Sequence, residues 1–345
     1  MRSLGLTALA LSLSLACGSE PGASSQAPAA PAPAPVPAAR AAGHGTVAAR
    51  TFRSAALGVD KSYRVYLPAG YAESGRRYPV VYLLHGLGGN ESNWVDLGEL
   101  AAAADRLRLQ AIVVMPDGDA SFYANSVAPA RYDQCMAGTS PFEERSPRAS
   151  TCVRKADYED YIVRDLIAEV DASFRSVAER RGRAISGLSM GGFGALSLAM
   201  RHRDLFASAA SHSGVVALFY ADPHPYDPAH VALLQDVARW GANVEPIGAL
   251  VRGIFGPDPN NWRTHDPATL AGELRDGDLA IYIDCGTEDN FALQDQAAYL
   301  HDILSRRGIH HSYTLQPGRH DFDFWKDRID DSLSFHVKAF TAAGL

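Results

Sequence analysis

The stretch Ile185-Ser-Gly-Leu-Ser-Met-Gly-Gly-Phe-Gly194 constrains this chain more than any other. Within it, Gly187-Leu-Ser-Met-Gly191 has the form G-x-S-x-G. The physical content of that pattern is a strained turn from a strand into a helix. A serine at its apex projects Oγ beyond the sheet edge. Small residues are needed on either side because strand and helix pass close together. Arg183 to Ser186 reads as the entering strand, and Gly192 to Met200 as a buried helix leaving it. Ser189 is therefore the candidate nucleophile.

The rest of the chain fits a large α/β core around that turn. Val80-Val-Tyr-Leu-Leu84 and Ala111-Ile-Val-Val-Met115 are continuous apolar runs, as expected of strands buried on both faces of a parallel sheet. Thr51 to Leu57 and Tyr63 to Leu67 read as a hairpin about Gly58-Val-Asp60. Further strands are expected at 206–211, 279–284 and 311–315. Helices are expected at 98–109, 158–174, 293–304 and 325–340. In the helix after Asp157, a plausible N-cap, Tyr158, Ile162, Leu166, Val170 and Phe174 form one buried stripe. Asp157, Glu159 and Asp160 suit its N-terminal dipole. In the closing helix, Ile329, Leu333, Val337 and Phe340 should face inward. The alternation of strands and helices predicts an α/β fold with a mostly parallel central sheet and helices on both faces. Residues 219–272 interrupt it and read as a small cap insertion over the site.

Charge and the N-terminus bound the setting. A net charge of −7 with interspersed acids and bases leaves no basic stripe for nucleic acid. Arg2 followed by the apolar run Leu4–Ala16 reads as a signal peptide over 1–17, too short to span a bilayer. Leu13-Ser-Leu-Ala-Cys17 resembles a bacterial lipoprotein signal with Cys17 lipidated, although Ser14 stands three positions before the cysteine. Residues 18–47 form a Pro/Ala-rich spacer. The expected protein is exported, either as a cell-envelope lipoprotein or secreted, meets a membrane only through that lipid, and carries its catalytic domain at 48–345. In such a compartment, Cys135 and Cys152 should pair as a disulfide.

A serine hydroxyl needs a base to take its proton and an acid to orient that base. The order Ser, then Asp or Glu, then His, each just past a strand, is present here. Among histidines, His320 is preferred over His310 and His311, at the start of a strand, and over His336, within a helix. His85 sits in the glycine-rich loop His85-Gly-Leu-Gly-Gly89, where it reads as shaping the loop. For the acid, Asp284 falls within a strand and Asp295 on a helix. Spacing does not choose between Glu288 and Asp289.

Tyr82-Leu-Leu-His-Gly-Leu87, Tyr158-Glu-Asp-Tyr161, Gly187 to Gly192, Asp284 to Asp289 and Gly318-Arg-His320 through Trp325 together resemble the putative-esterase (esterase D-like) family of α/β hydrolases. That family includes S-formylglutathione hydrolases, feruloyl and acetyl xylan esterases, and mycolyltransferases. The resemblance, over roughly residues 50 to 342, implies the α/β-hydrolase fold and makes Asp289 the acid, through Asp289-Asn-Phe291. It also implies an oxyanion hole made by the backbone N–H groups of Leu87 and Met190. The expected activity is a serine esterase acting on a small-molecule or polysaccharide-linked ester, with no metal and no organic cofactor. An acyltransferase, an S-formylglutathione hydrolase-like thioesterase and an inactive lipid-anchored binding protein are the alternatives.

Overall fold

The computed structural model describes residues 43–138 and 147–345. The expected signal peptide, Cys17 and all but the end of the Pro/Ala-rich spacer lie outside these residues. Strands run at Thr46–Arg53 (β1), Asp60–Leu67 (β2), Val80–Leu84 (β3), Ile112–Pro116 (β4), Arg183–Leu188 (β5), Ser208–His212 (β6), Tyr220–Asp222 (β7), Ala232–Leu233 (β8), Ala280–Gly286 (β9) and Ser312–Gln316 (β10). The large sheet has the order β1-β2-β4-β3-β5-β6-β9-β10, and β7 pairs with β8 apart from it. β1–β2 and β2–β4 are antiparallel, and the run β4-β3-β5-β6-β9-β10 is parallel, as expected of an α/β fold.

The apolar runs explain the layering. In β3, Val80, Tyr82 and Leu84 enter one core cluster while Val81 and Leu83 enter the other. β4 divides the same way, with Ile112 and Val114 against Val113 and Met115. The first core is covered by helices Met190–Arg201 and Leu293–Arg306 and by the helical run from Tyr158 to Ser173. The second is covered by Leu100–Arg106 and Phe322–Ala342. Truncating a fully buried leucine such as Leu83 to alanine would cost about 2–5 kcal/mol.

Chain direction in the sheet reverses at β3. The chain steps from β3 to β4 on one side, then crosses to β5 and continues the other way. Such a switch point opens a crevice at the carboxyl ends of the strands. Here the loop after β3 and the turn after β5 leave side by side, with Leu84 paired to Gly187.

Several local readings need correction. β1 covers 46–53 rather than 51–57, because the turn to β2 occupies 54–59. Val337 is 38% exposed, unlike Ile329, Leu333 and Phe340. Asp157 precedes its helix but makes no side-chain cap. The stripe from Tyr158 to Phe174 is buried as expected, on a helix whose middle, Tyr161–Leu166, is π-type. Each four-residue step overshoots an α-helical turn by about 40°. The wider π turn absorbs part of that drift.

Candidate active site

Ser189 sits between β5 and the helix Met190–Arg201 with φ 53° and ψ −117°. That left-handed backbone costs a non-glycine residue about 1–3 kcal/mol. The close approach behind it leaves room only for glycine. A Cβ on Gly187 would lie 2.4 Å from the Gly191 carbonyl, and one on Gly191 would lie 2.6 Å from the carbonyl oxygens of Leu84 and His85. The Ser189 N–H donates to His212 O at 2.9 Å, fixing the turn to β6.

His320 and Asp289 arrive on loops after β10 and β9. Two backbone bonds join these loops, Thr287 N–H to Gln316 O at 2.8 Å and Glu288 N–H to Gly318 O at 2.9 Å. His320 Nδ1 lies 2.6 Å from Asp289 Oδ2, and its Nε2 lies 2.9 Å from Ser189 Oγ. Asp289 Oδ1 accepts from Phe291 N–H at 2.9 Å, so both carboxylate oxygens are engaged. A proton on Nδ1 facing the carboxylate leaves the Nε2 lone pair toward the serine. Phe291 and Trp325 meet the imidazole edge-on, each at 4.9 Å between centroids. Glu288 is exposed and outside this line, so of the two acids that spacing left open, Asp289 is the one in contact. Cys285 is buried beneath it, with Sγ 3.6 Å from Asp289 Oδ2. Burial and the nearby carboxylate push that thiol far above its ordinary pKa, so it stays protonated.

The glycine-rich loop is held from below. His85 is buried; Gly118 N–H donates to its Nε2 at 2.9 Å, which puts the ring proton on Nδ1, donated to Gly86 O at 2.8 Å. Tyr123 OH donates to His85 O at 3.0 Å. His85 thus shapes the loop and does not meet Ser189. Among the described residues, neither the Leu87 nor the Met190 N–H has a backbone hydrogen-bond partner. Both residues line one cavity with Ser189 and His320.

That cavity has a volume of about 860 Å³. Its floor is the serine turn and glycine loop; much of its wall is Tyr220, His224, Trp240, Val244 and Ile247 from the 219–272 insertion. Trp262, from the same insertion, is instead fully buried in the core.

Residues 54–336 match the family described as "Putative esterase". The chain belongs to this esterase family. An esterase of Mycobacterium tuberculosis strain H37Rv is 36% identical over 248 residues, which cover 64% of this chain and 49% of that protein. The chain spans about half the length of the curated relatives it matches. Among solved structures, a ferulic acid esterase superposes with a TM-score of 0.63 at 22% identity, covering 86% of this chain and 99% of the other. An S-formylglutathione hydrolase from Agrobacterium tumefaciens gives 0.63 at 22% identity, covering 86% and 96%. At that identity the two structures speak for the α/β-hydrolase fold alone.

This esterase-family chain also holds titratable clusters away from the serine. His212 Nδ1 lies 2.8 Å from Asp284 Oδ2 and its Nε2 lies 2.8 Å from Ser332 Oγ. That repeats the residue types of the site, but all three are fully buried and no substrate reaches them. Lys61 Nζ bonds Asp117 at 3.0 Å, Asp119 at 2.7 Å and the Ser150 carbonyl at 3.1 Å. Burial and the adjacent Asp117 charge raise the Asp119 carboxyl well above its usual range. Burial would also raise Asp117, but the Lys61 charge holds it low. Glu159, read as a helix-dipole acid, instead joins Arg201 at 3.0 Å and His202 at 2.7 Å. Burial would raise its pKa; bonds from His202, His265 and Arg201 hold it well below the ordinary value. Cys135 and Cys152 are joined in a disulfide, as expected. Among the described residues, no group of three His, Cys, Asp or Glu side chains is placed to hold a metal.

Proposed function

We propose that this chain is an exported serine esterase that hydrolyses carboxylic esters, including acyl, acetyl or feruloyl esters of carbohydrates. The observation that carries the reading is the line Asp289–His320–Ser189, whose Oγ opens into the cavity beside the Leu87 and Met190 N–H groups. In this reading, His320 Nε2 takes the Ser189 proton as Oγ attacks the ester carbonyl. The two backbone N–H groups stabilise the oxyanion, a contribution of about 3–4 kcal/mol per donor in comparable sites. His320 then protonates the leaving alcohol, and water repeats the sequence on the acyl-enzyme. Asp289 holds the imidazole tautomer and stabilises the imidazolium. The resemblance to an M. tuberculosis esterase supports ester hydrolysis.

Export rests on the N-terminal charge and apolar run, with Cys17 as the lipid attachment that holds the domain at a membrane. The Cys135–Cys152 disulfide supports an oxidising compartment. Among the described residues, no helix is long and apolar enough to cross a membrane.

Turnover of p-nitrophenyl acetate, butyrate and octanoate and of methyl ferulate tests the proposal, with Ser189→Ala as control. Serine-dependent turnover of at least one is expected. Equal rates in wild type and variant would overturn the reading.

A further inference from the structure

We infer that His224 binds the alcohol part of the substrate, accepting a hydrogen bond from one of its hydroxyls, and that the site is therefore built for esters of polyhydroxylated alcohols such as sugars. The inference rests on the proposed esterase activity and adds the residue that reads the alcohol.

His224 is on the insertion and lines the same cavity as Ser189. Its Nδ1 lies 2.6 Å from Asp295 Oδ2, and the other Asp295 oxygen accepts from Tyr226 N–H at 2.9 Å. The Tyr226 hydroxyl donates to Asp302 at 2.6 Å, so the segment is anchored twice to the helix Leu293–Arg306. That helix follows the loop carrying Asp289, which ties the position of His224 to the reacting centre.

The pairing is lopsided in burial. The Asp295 side chain is 5% exposed, while that of His224 is 62% exposed. A buried carboxylate is costly to desolvate, and here the imidazole it orients turns mostly outward. With its Nδ1–H donated to Asp295 Oδ2, the imidazole turns its Nε2 lone pair toward the cavity. Among the described residues that nitrogen has no partner.

The same cavity wall supplies donors. Gln296 spends its carbonyl oxygen on Ala217 N–H at 3.1 Å, leaving its NH₂ group. Arg239 lines the same cavity. Tyr220 and Trp240 add aromatic faces. An apolar pocket with a few fixed acceptors and donors suits a ligand that both donates and accepts while presenting C–H faces. A sugar alcohol does this, whereas a plain alkyl or aryl alcohol does not.

The test compares full-length wild type, His224→Ala and Asp295→Asn on two esters of the same acid, 6-O-acetylglucose and p-nitrophenyl acetate. The readout is the ratio of kcat/KM for the sugar ester to that for the aryl ester. Losing one neutral hydrogen bond should lower that ratio about three- to tenfold, mainly through KM. Asp295→Asn should move it in the same direction, since the imidazole loses its fixed tautomer. Circular dichroism and thermal melting report whether each variant is folded. An unchanged or raised ratio, or a wild type that turns over p-nitrophenyl acetate but not 6-O-acetylglucose, would overturn the inference and leave the esterase standing. A wild type that hydrolyses neither ester would overturn this inference, and the esterase reading falls with it only if p-nitrophenyl butyrate and octanoate and methyl ferulate are also left intact.

Discussion

Asp289 Oδ2 lies 2.6 Å from His320 Nδ1, and the carboxylate side chain is wholly shielded from solvent. A short charge-assisted bond in a dry setting fixes which imidazole nitrogen carries the proton. Asp289→Asn keeps the shape but favours the wrong tautomer, and should lower kcat by about 10³–10⁴. Glu288→Gln, at an exposed neighbour, should change kcat by less than about twofold. Steady-state kinetics on p-nitrophenyl acetate would compare them, and the reverse ranking would move the acid to Glu288.

His336 lets the pH dependence of stability be signed. It is fully buried, and burial, with His212 nearby, lowers its pKa to about 3. Between that value and the unfolded value of about 6.5, the unfolded chain binds the proton and the folded chain does not. Stability therefore falls as pH drops through this window. By pH 5 this one group should have cost about 2 kcal/mol relative to pH 7. Urea unfolding at the two pH values should show His336→Leu losing less on acidification than wild type. An identical loss would mean His336 is not held neutral in the fold.

Lys61 is the fully buried cation of a network with two buried carboxylates. Removing it strands Asp117, whose charge also faces His85 beneath the glycine loop. Lys61→Met should cost about 3–5 kcal/mol, read from the urea midpoint. A loss under about 1 kcal/mol would mean that the carboxylates are neutral without it.

The sequence carried the sheet where burial was two-sided. β3 and β4 are continuous apolar runs because each feeds both cores. β1 was misplaced because it is an edge strand with no fully buried residue, and so has no alternating signal. Ser189 and His320 were legible because each sits in a loop required by strand order. Spacing did not separate Asp289 from Glu288, because adjacent residues differ only in which way they point; the resemblance through Asp289-Asn-Phe291 was what named Asp289. His212, Asp284 and Ser332 show that residue types in contact do not by themselves make a site, since exposure separates the two sets. Lys61 and the His224–Asp295 pair went unread because their partners are 56 and 71 positions away in the chain. Only the folded sheet and the insertion bring them together.

Fluorophosphonate labelling followed by peptide mapping tests the central claim most directly. The probe phosphonylates a serine only where a base and oxyanion donors activate it. The account predicts a single adduct on Ser189, absent from Ser189→Ala and strongly slowed in His320→Ala. An unlabelled wild type, or an adduct on another residue that survives Ser189→Ala, would contradict it.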